Sequence, residues 1–278
     1  MKISALVSDV DGTLVTPDKV LTEATRAAVA RLHAAGITFA IISSRPPRGL
    51  RMLVEPLALT TPIAGFNGGV FVTPGLSKTR EHLLAPAAAR RAAELVSARG
   101  AQAWVFTIEN WLVRDPNGPY VAHERRTVQF EPVVVEDFGS NIDAAGKIVG
   151  VSEDFDLLKE IEAQARALLD DQASVARSQP YYLDFTHPLA NKGAALLEFS
   201  KLLAIPTAEI AVIGDGGNDV AMFEQAGLAI AMGNASPEVQ GEADLVTGSN
   251  SEDGFAQAVE RLILREKAPA TSAEAGQR

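Results

Sequence analysis

The chain contains no cysteine. Disulfides and thiolate metal sites are therefore excluded, and the composition suits a reducing, cytoplasmic setting. No apolar run approaches the 18 or so residues of a membrane span, so no transmembrane helix is expected. The N-terminal stretch has one lysine and then an acid by position 9, which is not the pattern of a signal peptide. Positive charge is also scarce: 25 Lys and Arg stand against 35 Asp and Glu, a net charge of −10. Broad binding to nucleic acid or to an anionic membrane is not expected. An anionic substrate would need local rescue by a cation and a few basic residues.

With 278 residues, 47% of them hydrophobic and 22% charged, the chain can bury a sizeable core in one large domain or two small ones. Its first apolar run, Ile3 to Ser8, ends in Asp9-Val10-Asp11-Gly12-Thr13-Leu14. At ordinary strand geometry the side chains of Asp9 and Asp11 point to opposite faces. The glycine beyond them permits a tight turn. One carboxylate can then face a metal and an incoming anion, while the other reaches the leaving group. This pattern suggests phosphoryl transfer through an aspartate.

Strands and helices alternate at first. Thr22 to Ala35 reads as a helix with Thr22 as N-cap and Gly36 as stop; Val29 and Leu32 would face a sheet, and Arg26 and Arg31 water. Ile37–Ile42 and Pro62–Phe66 are further apolar runs, and the β-α-β-α-β order favours a parallel sheet covered on both faces. The middle of the chain differs. It carries both Trp, all three Tyr, several aromatic-rich strands and two expected helices, Pro86–Arg99 and Glu153–Leu169. The α/β rhythm resumes after Asn191, with a helix over Lys192–Leu203, strands at Ile210–Ile213 and Leu228–Ala231, and a last helix over 253–265. The expected fold is α/β: a doubly wound parallel-sheet core over 1–82 and 187–266, an inserted α+β domain over 83–186, and a disordered tail over 267–278.

Four apolar runs end in polar residues: Asp9 and Asp11; Ser43, Ser44 and Arg45; Asn67, Gly68 and Gly69; and Asp215, Asn218 and Asp219. Parallel strands bring their carboxyl ends to one edge, where ligands bind in such sheets. Three carboxylates crowded there repel one another unless a cation sits among them. Mg²⁺ suits oxygen ligands and leaves room for phosphate.

These residues carry a resemblance. The chain resembles haloacid dehalogenase superfamily phosphatases of the Cof-like group, which have the larger inserted cap, over roughly residues 1–265. Asp9-Val10-Asp11-Gly12-Thr13 matches the family's first motif, Ser43 the second, Lys192 in Asn191-Lys192-Gly193 the third, and Gly214-Asp215-Gly216-Gly217-Asn218-Asp219 the fourth. The second motif departs from the frequent Thr-Gly-Arg: here it is Ser43-Ser44-Arg45. The hydroxyl is kept, but the next residue is less flexible. The resemblance implies a Mg²⁺-dependent phosphomonoester hydrolase. Asp9 would be the nucleophile that forms an aspartyl-phosphate and Asp11 the general acid and base. Ser43 and Lys192 would offset phosphoryl charge, with Ser44, Arg45, Asn67, Gly68 and Asn218 in the substrate- or phosphate-binding set. The implied metal set is Asp9, Asp215, the backbone carbonyl of Asp11, and Asp219, which would act through water or by orienting Lys192. The implied partner is a small phosphorylated metabolite such as a sugar phosphate, pyridoxal phosphate or flavin mononucleotide. No nucleic acid or membrane partner is expected, and the chain would be a monomer or homodimer.

Blander readings stand beside these. Gly214 to Asp219 suits a strand-to-helix turn with Asp or Asn capping, Ser43 could cap the next helix, and Lys192 alone would be a solvated lysine at a helix start. Arg45 and Arg48 could be surface residues, Trp104 and Trp111 core of the insert, and Asp184 the partner of an arginine. His123 and His187 are structural or line the insert and its return to the core. A phosphosugar mutase, with Arg125 and Arg126 rebinding a phosphorylated intermediate, is the nearest alternative function, and a non-catalytic binding module the more distant one.

Overall fold

A computed structural model of the chain describes residues 2–264. The tail expected over 267–278 and the end of the last expected helix, Arg265, lie outside the described residues. The first elements are β1 (Ala5–Ser8), α1 (Glu23–Ala34), β2 (Thr38–Ile41), β3 (Ile63–Gly65), β4 (Val70–Val72) and β5 (Lys78–Glu81). Next come α2 (Pro86–Ala98), β6 (Gln102–Phe106), β7 (Trp111–Val113), α3 (Val121–Val128), β8 (Val133–Val134) and β9 (Lys147–Val151). α4 (Phe155–Leu169), β10 (Ser174–Gln179), β11 (Tyr182–Thr186), α5 (Lys192–Leu203) and β12 (Ile210–Gly214) follow. The chain continues through α6 (Val220–Phe223), β13 (Leu228–Ala231), α7 (Pro237–Gly241), β14 (Leu245–Val246) and α8 (Gly254–Ala258).

The described residues divide into two compact units, 2–40 with 199–264, and 41–198. The first is built on a parallel sheet of order β14-β13-β12-β1-β2. Strands covered on both faces must be apolar throughout, and every residue of β1 and β12 is buried. Register places Leu6 beside Ala211, Val7 beside Val212 and Ser8 beside Ile213. α1 begins as expected: the Thr22 hydroxyl accepts the Thr25 N–H, and Ala28, Val29 and Leu32 are buried while Arg26 and Arg31 are exposed. The Thr22 hydroxyl also donates to Asp253 Oδ1 at 2.7 Å, and Phe39 meets Phe255 edge-on at 5.9 Å, so α8 is tied to α1 and the sheet edge.

The second unit carries a six-stranded sheet of order β10-β11-β9-β6-β7-β8, antiparallel except for the β7–β8 pair. Alternation along the strands separates two faces. One face, with Val105, Ile148, Leu183 and Phe185, shares a core with Ala89, Ala92 and Val96 of α2 and Leu158 and Ile161 of α4. The other carries Trp104, Phe106, Lys147, Tyr182 and Asp184. α4 starts two residues later than expected, at Phe155, because Asp154 is its cap and accepts the N–H groups of Asp156 and Leu157. A third helix of the insert, α3, is only eight residues long and is not among the expected helices.

The apolar run over 62–66 was expected to extend the parallel sheet. Instead β3 pairs antiparallel with β4, which pairs antiparallel with β5, and one parallel bridge, Ile42 to Ala64, joins it to the segment after β2. The reason is local. Phe66, Asn67 and Gly68 all have positive φ (52°, 56° and 94°), which folds the chain straight back on itself. The nearest partner for the run is then its own continuation.

Candidate active site

β1 and β12 are parallel neighbours, so the residues that follow them emerge on one edge. Asp9 follows β1, and its N–H still donates to Ile213 O at 2.9 Å, which carries the ladder to the nucleophile candidate itself. Asp215 follows β12. Asp9, Asp215 and Asp219 bring carboxylate oxygens within 4.8 Å of one another, with Asp9 and Asp219 buried. The donor set is all carboxylate oxygen, which suits a hard divalent cation rather than a thiophilic metal. Oxygens around one octahedral Mg²⁺ lie about 2.9–4.2 Å apart, given Mg–O distances of about 2.1 Å. The oxygens here lie within 4.8 Å of one another, close to that range, and without a cation three acids so placed repel.

The surrounding contacts hold the acids in place. Gly12 has φ +84°, and a Cβ there would stand 2.1 Å from Asp215 Oδ2. Both the turn and the close approach of the carboxylate therefore require glycine. Thr13 Oγ1 donates to Asp215 Oδ1 at 3.3 Å. The carboxylate of Asp219 reaches backwards: its Oδ2 accepts the N–H groups of Asp215 (3.1 Å) and Gly216 (2.9 Å). It makes no side-chain cap to α6, so Asp219 fastens the turn that presents Asp215 instead of capping the helix. Asn218 is exposed on the same turn. Asp11 is not part of the acid cluster. Its Oδ1 accepts an ion-paired hydrogen bond from Lys19 Nζ at 2.7 Å.

Sequence reasoning missed Asn234. Its Nδ2 donates to Gly12 O at 2.9 Å and to Asp215 Oδ2 at 3.1 Å, stitching the first and fourth motifs together. Asn250 supports it: the Asn250 N–H donates to Asn234 Oδ1 at 2.9 Å, and Asn250 Nδ2 to Val15 O at 2.8 Å. A signal was present. Asn234 follows β13, so it is one more polar residue beyond the carboxyl end of a parallel strand.

The other expected residues lie in the second unit, where three segments converge. The Asn67 N–H donates to Ser43 O at 2.8 Å and the Phe66 N–H to Arg45 O at 2.9 Å. Gly68 abuts α5: a Cβ there would lie 2.3 Å from Ala195 Cβ, one helical turn from Lys192. Asn191 caps α5 by accepting the Ala194 N–H at 2.8 Å. Lys192 is 1% exposed, so it is not the solvated lysine of the bland reading. A buried ammonium at a helix N-terminus is unfavourable on both counts and needs compensation. Ser43 caps no helix. The next helical segment is a 3₁₀ stretch, Pro47–Leu53, whose cap position is Pro46, and the Ser43 hydroxyl accepts the Arg45 N–H at 3.1 Å. Ser44 is half-buried. Arg45 is buried, with one guanidinium N–H on Gly49 O at 3.3 Å, whereas Arg48 is exposed, donates to Glu109 O and covers the Phe130 ring.

The insert's singled-out residues are placed as follows. Trp104 and Trp111 are fully buried against each other, edge to face at 5.1 Å. Asp184 pairs with Lys147 at 3.6 Å rather than with an arginine. His123 meets Tyr181 edge-on at 5.9 Å. Tyr182 donates to Glu124 Oε2 at 3.2 Å; burial, then the Glu124 charge, pushes its phenol far up. His187 stacks on His82 at 5.2 Å, and burial, then the His82 charge, holds its imidazole below the ordinary range.

The profile of the haloacid dehalogenase-like hydrolases matches residues 6–259. An HMP-PP phosphatase of Cronobacter sakazakii is 31% identical over 236 residues, covering 84% of this chain and 85% of the relative. The 5-amino-6-(5-phospho-D-ribitylamino)uracil phosphatase YcsE of Bacillus subtilis is 26% identical over 263 residues, covering 94% and 96%. A crystal structure of a haloacid dehalogenase-like hydrolase from Bacteroides thetaiotaomicron superposes with a TM-score of 0.87 at 28% identity, covering 94% of this chain and 99% of that one. Among the described residues no helix is long and apolar enough to cross a membrane. With this fold, these motifs and these relatives, the chain belongs to the haloacid dehalogenase-like hydrolases and is a phosphatase of the Cof-like group.

Proposed function

We propose that the protein is a Mg²⁺-dependent phosphomonoester hydrolase that works through an aspartyl-phosphate on Asp9. The observation that carries this reading is the cluster of Asp9, Asp215 and Asp219 oxygens within 4.8 Å, at the ends of two adjacent parallel strands. Asp9, Asp215 and the backbone carbonyl of Asp11 would hold the cation, with Asp219 behind Asp215. When bound, the cation supplies positive charge that offsets the phosphoryl oxygens and the acids.

In the first step an Asp9 oxygen bonds to phosphorus as the bond to the leaving oxygen breaks, and Asp11 gives its proton to that oxygen. In the second step Asp11 takes a proton from water. The water oxygen bonds to phosphorus, and the Asp9–phosphorus bond breaks. Both steps return Asp9 and Asp11 to their starting forms. Ser43 and Lys192 bind phosphoryl oxygens, with Ser44, Arg45, Asn67, Gly68 and Asn218 around the substrate, where positioning and charge dominate the rate. The inserted domain selects the leaving group. The substrate is a small phosphorylated metabolite of the sugar phosphate, pyridoxal phosphate or flavin mononucleotide class. The names of the two relatives above, both phosphatases, support a small phosphorylated substrate.

The test is phosphate release from a phosphometabolite panel by the wild type, with Mg²⁺ and with chelator. Release that chelator abolishes and Mg²⁺ restores is expected. Release of equal size in excess chelator would overturn the metal assignment.

A further inference from the structure

Lys19 belongs to none of the four motifs, yet it ends on Asp11. Its Nζ lies 2.7 Å from Asp11 Oδ1, and both side chains are largely buried, 22% and 24% exposed. The lysine is delivered by a closed turn: the Lys19 N–H donates to Thr16 O at 2.9 Å, the Thr16 N–H to Val20 O at 3.0 Å, and the Val20 N–H to Thr16 Oγ1 at 3.2 Å. Within that turn Lys19 has φ +63°, a left-handed conformation that glycine or asparagine adopts more cheaply. The loop between Asp11 and this turn is itself tight. Val10 O accepts the N–H groups of Leu14 (2.9 Å) and Val15 (3.1 Å), and Asp11 and Val15 form an isolated bridge.

A flexible lysine on a surface carboxylate contributes little to stability. Here the lysine is held in an unfavourable backbone conformation, on a turn braced at both ends, and its partner is the proposed proton carrier. Backbone strain retained at such a place points to a role in the reaction. The terminal torsion of an aspartate is broad and nearly two-fold, so nothing intrinsic to Asp11 sets the plane of its carboxylate. A hydrogen bond from the Lys19 ammonium to Oδ1 sets it in either protonation state, and in the acid form the proton is carried on Oδ2. We propose that Lys19 is a positioning residue for Asp11, orienting its carboxylate toward the leaving oxygen and, in the second step, toward water. The proposal rests on the reading of Asp11 as the group that moves the proton.

Lys19→Met, Lys19→Gly, Lys19→Arg and Asp11→Asn are compared with the wild type on two substrates. β-Glycerophosphate has an alkoxide leaving group that must be protonated, and p-nitrophenyl phosphate has one that leaves unaided. Lys19→Met is expected to slow β-glycerophosphate turnover by on the order of 10²-fold, the scale of a misplaced reacting group. The KM should stay within about threefold, and so should the rate of the p-nitrophenolate burst, because that step needs no acid. Lys19→Gly relieves the backbone strain, so it should melt no lower than the wild type yet show the same kinetic loss. Lys19→Arg should recover part of it.

Equal slowing of both substrates and of the burst, or a harmless Lys19→Gly, would reduce Lys19 to a structural role. If Asp11→Asn abolishes β-glycerophosphate turnover while Lys19→Met leaves it intact, the positioning role alone falls. Full turnover by Asp11→Asn would remove the acid reading and this proposal with it.

Discussion

The two units treat buried carboxylates in opposite ways. On the edge of the parallel sheet, Asp9, Asp215 and Asp219 crowd three acids within 4.8 Å, and the donors to Asp215 and Asp219 include Thr13, Asn234 and backbone N–H groups. On the antiparallel sheet of the second unit, Asp184 stands beside Lys147 at 3.6 Å, and Glu124 accepts from the Tyr182 hydroxyl at 3.2 Å. One region concentrates its acids at a single point; the other spaces them apart, each beside a donor. Concentrated carboxylates repel one another, and a bound cation would offset that repulsion. The difference marks the first region as a site and the second as part of a scaffold.

The comparison breaks most visibly at Asp9. Asp9→Asn should fold normally and lose turnover by on the order of 10⁴-fold or more, the scale of removing a nucleophile; release above a few per cent of wild type would show that another group attacks phosphorus. Asp215→Ala should raise the Mg²⁺ needed for half-maximal rate by at least about 100-fold, beyond what outer-shell changes cause. An unchanged metal titration would remove Asp215 from the ligand set. In the second unit the effect moves to stability. Lys147→Met strands the buried Asp184 charge and should cost about 3 kcal/mol in denaturant unfolding, and adding Asp184→Leu should return most of it. A harmless single variant would show that the pair is not a structural one.

Asn234→Ala should raise the Mg²⁺ needed for half-maximal rate by only about tenfold, because Asn234 touches the proposed ligand Asp215; a melting-temperature loss with unchanged metal titration would contradict its bracing role. The smallest effect concerns pH. His187 has a folded pKa below the ordinary value of about 6.5. Below that pH the unfolded chain binds the proton more readily, so the contribution is present above about pH 6.5 and is lost as pH falls toward the lowered folded value. His187→Gln should flatten the fall in melting temperature between about pH 7 and 5; an unaltered slope would assign it to other groups.

Much of this was legible in the order of residues. A buried parallel strand must be apolar along its length and polar where it ends, so Asp9, Asp11, Ser43, Asn67 and Asp215 stand out at the ends of apolar runs. Cap chemistry is equally local, which is why Thr22 marks the start of α1. What stayed hidden is of another kind. α3 is eight residues long with Val121, Ala122 and Val128 as its apolar residues, too short a run to announce itself. The antiparallel return of β3 depends on three consecutive positive-φ residues, two of which are not glycine. Lys192 stands out by its motif, but its burial does not show in the sequence.

The sequence by itself determined the α/β class, the inserted α+β region, the family motifs and the identity of the candidate acids, because each follows from local periodicity or from residue types at short spacing. Only the tertiary structure decided which carboxylates cluster, that Asp219 reaches back to brace Asp215, that Asn234 joins Gly12 to Asp215, that Lys147 answers Asp184, and that Lys19 reaches Asp11. Most of these join residues far apart in the chain, from strands and loops that meet only after folding. The Lys19–Asp11 pair is close in sequence but depends on the conformation of two turns. Such contacts leave no period, no cap and no spacing to read.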